Sequence, residues 1–200
     1  MPTDVRTPNL QDRAADNLRY IRDTMARAGA FTSVSGTGMI AAGVAGLAAS
    51  AIAPPLMLVA NPRQFLATWI AAALIAGAIS WITIRRKAQR AGQSLVDGPA
   101  RRFVLAFAPA LVAGAVLTVA FVAKGQAALL PGTWLSLYGA AVTAGGALSV
   151  RPVPIMGCAF LGLGALCFAL PASWQQIVLA AGFGGLHLSF GYQIARHYGG

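Results

Sequence analysis

One histidine lies well inside the last apolar stretch of the sequence, and it has the clearest potential for chemistry. His187 occurs in AAGFGGLHLSFGYQIARHYGG, residues 180–200. An imidazole can donate and accept hydrogen bonds, bind a metal or carry a proton. Ionisable groups within membrane segments are commonly functional. Hydroxyl groups on another helix, such as those of Thr143 and Tyr138, are candidate partners for this ring.

The other residue types restrict the chemistry that His187 could take part in. The sequence has no Glu, and its five Asp residues lie outside the long apolar stretches, at Asp4, Asp12, Asp16, Asp23 and Asp97. No carboxylate pair is placed for acid–base catalysis, and no Ser/His/Asp set can be assembled in the apolar region. Ion-coupled carriers usually need a carboxylate in the membrane, so that class is disfavoured. We predict that the protein is not an enzyme.

The two cysteines offer little support for a metal site. Cys158 and Cys167 are nine residues apart in one apolar stretch, so a helix places them on roughly opposite faces. His197 lies ten residues after His187, roughly 15 Å further along a helix, and cannot supply a second imidazole. Cys158 with His187 is the one metal geometry left open, but it is an incomplete ligand set. We predict no bound metal and no cofactor.

Six apolar stretches are long enough to position these residues within a hydrocarbon core of about 30 Å. They are residues 36–53, 65–84, 103–123, 132–150, 153–170 and 174–195. The chain is 57% hydrophobic and only 10% charged. A soluble helical bundle would need a polar face on each helix, which these stretches lack. The sequence predicts an all-α integral membrane bundle of six helices.

The basic residues predict the orientation of this bundle. Thirteen of the fifteen lie before the first stretch, between the second and third, between the fourth and fifth, or after the sixth. Only Arg63 and Lys124 lie on the other side, so the positive-inside rule places both termini in the cytoplasm. The residues between the second and third stretches are predicted to contact anionic lipid headgroups: Arg85, Arg86, Lys87, Arg90, Arg101 and Arg102. Because the charges lie beside the membrane, the net charge of +10 does not indicate nucleic-acid binding.

Residues 1–35 form a polar N-terminal segment that is expected to lie in the cytoplasm. Thr7 can cap a helix that has Pro8 in its first position. The helix would carry one narrow apolar stripe, formed by Leu10, Ala14, Leu18, Ile21, Met25 and Ala28. We interpret it as an amphipathic helix on the inner membrane surface, and a docking site for a cytoplasmic protein is the alternative.

Small residues at helical spacing predict close contacts between the membrane helices. Glycine, alanine and serine allow helix backbones to approach each other. Two ridges are expected, Ala42, Gly46 and Ser50 on the first span and Gly139, Thr143 and Gly146 on the fourth. On the last span, Gly184 and Gly191 share a face with His187. The imidazole should therefore point into the bundle.

Two segments of the sequence resemble the ends of a known group of proteins. The segments are NLRYIRDTMARAGAFTSVSGTGMI, residues 17–40, and GGLHLSFGYQIARHYGG, residues 184–200. They resemble a family of small multispan bacterial inner-membrane proteins whose function is unknown, and the resemblance covers the whole chain. It implies a multi-pass protein of the bacterial inner membrane and implies no activity.

The functional interpretation is a non-enzymatic membrane module. We expect it to bind a membrane or cytoplasmic protein, a lipid or a small ligand through its inner face. A passive channel or small-solute transporter, with a pathway lined by Ser, Thr, Tyr and His187, is the first alternative. A haem- or metal-binding redox protein is the second and is disfavoured by the missing ligands.

Overall fold

A computed structural model describes residues 13, 16–18, 20, 21, 31–92, 94–96 and 98–199. The chain divides into two units, Met1–Ala30 and Phe31–Gly200. The described residues of the first unit are helical, and both Leu18 and Ile21 are exposed. Both residues belong to the predicted apolar stripe. The predicted cap and the other stripe residues lie outside the described residues.

The second unit is a bundle of α-helices connected by short links. Its helices are α1 (Gly36–Ile52), α2 (Met57–Ala60), α3 (Pro62–Arg90), α4 (Gly98–Ala123), α5 (Leu130–Gly146), α6 (Pro152–Ala169) and α7 (Ala172–Tyr198). A 3₁₀ turn, Ala127–Leu129, leads directly into α5.

Five of these helices are long and apolar enough to cross a membrane. They are α3, α4, α5 with its preceding 3₁₀ turn, α6 and α7, so the predicted all-α membrane bundle is confirmed. The remaining predicted span falls on α1, a shorter apolar helix of 17 residues. That length corresponds to roughly 25 Å, slightly less than a typical hydrocarbon core. The crossing by α1, and with it the count of six, stays a prediction.

Local sequence signals explain where several helices begin. The Ser35 hydroxyl accepts a hydrogen bond from the Gly38 N–H at 3.2 Å, which caps α1. Asn61 caps α3 in the same way, and Pro62 occupies a first-turn position where its missing N–H costs nothing. The end of α3 differs from the expectation: the helix continues to Arg90, beyond the predicted end of the span at residue 84. Lysine, arginine and glutamine are good helix formers, so the basic stretch extends the helix out of the apolar region.

Two antiparallel helix pairs form the centre of the bundle, α1 with α7 and α5 with α6. A side chain added at Gly46 would meet the Phe183 carbonyl oxygen at 2.6 Å, and one at Gly191 would meet the Ile40 nitrogen at 2.9 Å. In the second pair, a side chain added at Gly139 would meet the Gly157 carbonyl oxygen at 2.8 Å. These contacts bring backbone against backbone, as the small-residue ridges predict.

The remaining long helices pack on the outside of this centre. α3 packs mainly on α1, and α4 packs mainly on α5. Although α3 and α4 are consecutive in the chain, they have little direct contact in the described structure. Each therefore turns much of its apolar surface outward, to where lipid would lie.

Candidate functional site

The last helix changes its geometry immediately before His187. Ala172–Leu179 is α-helical, Ala180–Leu186 is π-helical, and His187–Tyr198 is α-helical again. The π-helical segment has the sequence AAGFGGL, in which three glycines reduce the cost of an unusual backbone. Segments of this kind are rare and frequently accompany functional sites. The segment sets the position of the imidazole inside the bundle.

His187 forms a buried polar pair with Tyr138 of α5. His187 is 5% exposed, and Nε2 of its imidazole lies 2.7 Å from the Tyr138 hydroxyl oxygen. Either atom can be the donor, depending on the tautomer of the ring. Of the two predicted hydroxyl partners, the structure therefore selects Tyr138.

The Thr143 hydroxyl does not serve His187, because it forms a hydrogen bond within its own helix. It donates to the Gly139 carbonyl oxygen at 2.8 Å, one turn earlier in α5. Threonine in a helix commonly makes this bond. On its other side, the hydroxyl packs against Gly157 of α6. The expectation that Thr143 could serve His187 is corrected on this ground, and Thr143 acts in helix packing instead.

Aromatic rings enclose the polar pair on several sides. The Tyr138 ring centroid lies 4.8 Å from that of Phe160, 5.3 Å from that of Phe183 and 6.2 Å from that of Phe107. Phe183 also stacks on the imidazole, with the ring centroids 6.3 Å apart. The rings belong to four different helices, so this cluster holds the centre of the bundle together.

One nitrogen of His187 has no hydrogen bond to any described residue. It is Nδ1, which is fully buried. The imidazole lies near the carbonyl groups of Gly182 and Phe183 in the π-helical segment, but Nδ1 does not reach hydrogen-bond geometry with them. Nδ1 is therefore the one polar side-chain atom of the pair that the described residues leave without a partner.

The structure places neither cysteine in a metal site with His187. Cys158 is exposed on the outside of α6, whereas His187 is buried. Cys167 is buried as a free thiol. Within the described residues, no group of three His, Cys, Asp or Glu side chains could hold a metal ion. The geometry left open for Cys158 with His187 is not formed.

The predicted packing residues lie at helix contacts, together with some that the sequence interpretation missed. Ala42, Gly46, Gly139, Gly146, Gly184 and Gly191 are all buried. Ser50 accepts hydrogen bonds from Gln176 Nε2 at 3.2 Å, through both its carbonyl and its hydroxyl oxygen. The missed residues are Gly36, Gly43, Gly157 and Gly164, which make equally close contacts.

Their spacing could have revealed the missed glycines. Gly36 and Gly43, Gly139 and Gly146, Gly157 and Gly164, and Gly184 and Gly191 are four pairs, each with a separation of seven residues. A seven-residue repeat keeps one face of a helix toward its neighbour. The four pairs therefore mark α1, α5, α6 and α7 as the helices that pack most closely.

The predicted basic cluster lies at one end of the bundle, and its members are not equivalent. Lys87 donates hydrogen bonds to the carbonyl oxygens of Val34 at 2.9 Å and of Tyr198 and Gly199 at 2.8 Å. Its predicted role as a headgroup contact is corrected: an ammonium group has three donors, and three backbone carbonyls use them. Lys87 instead connects the last turns of α3 to the start of α1 and the end of α7.

The arginines of the cluster remain at the surface. The five exposed ones are Arg85, Arg86, Arg90, Arg101 and Arg102. Two further arginines are exposed at the same end, Arg151 between α5 and α6 and Arg196 in the last turn of α7. At this end Phe31 also contacts both Phe103 and Leu148. In residues 31–199 the sequence holds only one acidic residue, Asp97. Within residues 31–199, these seven arginines therefore outnumber the acidic residues.

Comparisons of the chain with protein-family models, with curated proteins and with solved structures find no match. The class that the fold defines is a multi-pass helical membrane protein. Its distinguishing features are the buried Tyr138–His187 pair and the arginine-rich end.

Proposed function

We propose that the protein is a non-enzymatic module of the bacterial inner membrane that binds anionic phospholipids at its cytoplasmic end. The observation that carries the proposal is the set of seven exposed arginines with a single acidic residue in residues 31–199. Both termini lie in the cytoplasm in this proposal, as the positive-inside rule requires. The resemblance to small multispan bacterial proteins supports the same location.

The chemistry of arginine favours a phosphate ligand. A guanidinium group presents several donors in a planar array that matches a phosphate, and it stays charged at any physiological pH. Each basic residue near an anionic bilayer surface contributes about 1 kcal/mol to the attraction. Arg85, Arg86, Arg101 and Arg102 flank the ends of α3 and α4, where the apolar surface meets the headgroup layer. A lipid satisfies both surfaces at once, with its phosphate on the arginines and its chains on the helices.

Lipid retention during purification tests the proposal. The protein is extracted in mild detergent, exchanged into defined phosphatidylglycerol or phosphatidylethanolamine, and examined by native mass spectrometry. We expect retained phosphatidylglycerol, and at least a tenfold weaker retention when Arg85, Arg86, Arg101 and Arg102 are all replaced by glutamine. Arg63→Gln with Lys124→Gln is the control, because these residues lie at the other end. Equal retention of the two lipids, or equal loss in both variants, would contradict the proposal.

A passive pathway for a small solute is the second candidate, and one observation favours it. Beside the π-helical segment lies a buried imidazole whose Nδ1 has no hydrogen-bond partner among the described residues, which suits a polar point along a pathway. Flux of small neutral solutes into proteoliposomes tests it. Flux that exceeds that of protein-free liposomes and falls in His187→Leu would support a pathway, and flux equal to the protein-free value would exclude one.

A further inference from the structure

A small cavity lies at the end of the bundle opposite Lys87. It is lined by Pro54, Leu56 and Leu58, by Phe65 of α3, by Pro131 of α5, and by Ala172, Gln175 and Gln176 of α7. The volume open to a water molecule there is about 10 Å³. This volume is close to the minimum that one water molecule needs, so the cavity excludes larger ligands.

Two amide oxygens at this cavity lack hydrogen-bond partners among the described residues. Gln175 is 9% exposed and Gln176 is 6% exposed, and the Oε1 atom of each is buried. Nε2 of Gln176 donates to the Ser50 carbonyl oxygen at 3.2 Å, which fixes the orientation of that amide. Its Oε1 must therefore be the atom without a partner. Buried oxygens of this kind are costly unless a donor reaches them.

The chemistry of the cavity defines what it can hold. Two acceptors require a ligand with at least two donors, and the remaining walls are largely apolar. The cavity lies beside the start of α7, where the helix dipole places partial positive charge. That charge opposes a cation such as ammonium and favours a neutral donor. A water molecule has the size, the two donors and the neutrality that the site requires.

We propose that one bound water molecule bridges Oε1 of Gln175 and Oε1 of Gln176. Gln176 already binds Ser50 of α1 through its amide nitrogen. With the water in place, a continuous set of hydrogen bonds joins α1 to the first turns of α7. The site is therefore a hydration site that fastens the outer ends of these two helices. It does not depend on lipid binding at the other end.

Water-to-protein magnetisation transfer in detergent micelles tests the site directly. We expect a cross-peak from slowly exchanging water to the side-chain amide protons of Gln176 in the intact protein. Ala172→Val fills the cavity from its wall and should remove the cross-peak and lower the apparent Tm by a few degrees. Ser173→Val, at the exposed neighbouring position, is the matched control and should keep both values.

Two outcomes would overturn the proposal. One is the absence of the water cross-peak in the intact protein while the Gln176 amide resonances themselves are observed. The other is a cross-peak that persists unchanged in a folded Ala172→Val variant, because that water must then lie elsewhere. A second variant, Gln176→Met, checks that the cross-peak is assigned to this water. It keeps the side-chain volume but removes the acceptor. We expect it to raise the exchange rate of water near the Gln175 amide protons.

Discussion

The four helices α1, α5, α6 and α7 differ from α3 and α4 in how they are held. In the most apolar stretches of α3 and α4, 11% and 6% of the residues are buried, against 44% for Ala127–Gly146 and 39% for both α6 and α7. Each central helix carries a glycine pair with a separation of seven residues, and backbone atoms of the neighbouring helix lie against it. Lipid provides no hydrophobic force between helices, so close backbone packing must supply the attraction.

Large side chains contribute to the attachment of the outer helices. Phe65 of α3 stacks on Trp134 of α5 with the ring centroids 6.0 Å apart, and Trp69 meets Phe183 of α7 at 5.8 Å. The Trp134 indole N–H in turn donates to the Thr118 hydroxyl of α4 at 2.8 Å. These side chains connect α3 and α4 to the centre at separate points. The comparison teaches that glycines allow the four central helices to pack backbone against backbone, whereas large aromatic side chains help to attach α3 and α4.

The largest effect is expected where a side chain enters the centre. Gly157→Leu would push a side chain into Thr143 of α5, whose nitrogen lies 2.5 Å from an added Cβ. We expect a loss of roughly 3 kcal/mol or more, because a backbone atom cannot move aside. Thermal unfolding in detergent, followed by size-exclusion chromatography, measures it.

Gly162 provides the matched control on the same helix. No described atom lies within 4 Å of an added Cβ there, so Gly162→Leu should change stability by less than about 0.5 kcal/mol. Similar losses in the two variants would mean that the glycine contacts do not hold α5 and α6 together.

A smaller effect is expected at Lys87, which attaches an outer helix to the centre. Lys87→Met keeps most of the side-chain length but leaves the carbonyls of Val34, Tyr198 and Gly199 without their donor. We expect a loss of roughly 1.5–3 kcal/mol and faster proteolysis at the C-terminus. Arg86→Met, at the exposed neighbouring position, is the control and should change little. Equal behaviour of the two variants would refute the connecting role of Lys87.

The smallest effect is expected at the Tyr138–His187 pair. A double-mutant cycle with Tyr138→Phe and His187→Leu should give a coupling of about 0.6 kcal/mol, the usual value for a hydrogen bond between membrane helices. His187→Gln alone should leave a folded protein. Loss of a bound chromophore or metal in that variant would instead show that the imidazole is a ligand.

Much of the fold could be predicted from the sequence, because hydropathy alone places the helices. Each predicted stretch overlaps a helix, although the helix in the fourth stretch ends at Gly146 and not at residue 150. His187 is buried, as its helix face indicates. The π-helical segment could not be predicted, since its glycines are equally compatible with an ordinary membrane helix. The role of Lys87 was hidden because its three partners are backbone carbonyls far away in the sequence.

The sequence predicted the candidate site only in part, because it does not show which side chains reach a neighbouring helix. Tyr138 and Thr143 both offered a hydroxyl group, and the sequence does not show which one is free to leave its own helix. The short side chain of Thr143 reaches the carbonyl of Gly139, whereas the hydroxyl of Tyr138 lies at the far end of a ring and reaches a neighbouring helix. The length of the side chain therefore decided between them.

Topology mapping tests the central claim most directly, namely that the arginine-rich end of a six-span bundle faces the cytoplasm. Reporters that are active on only one side of the membrane are fused after Arg90, after the C-terminus, after Arg63 and after Lys124 of the full-length protein. The account predicts cytoplasmic signals from the first two positions and external signals from the last two. An external C-terminus or a cytoplasmic signal after Lys124 would contradict it.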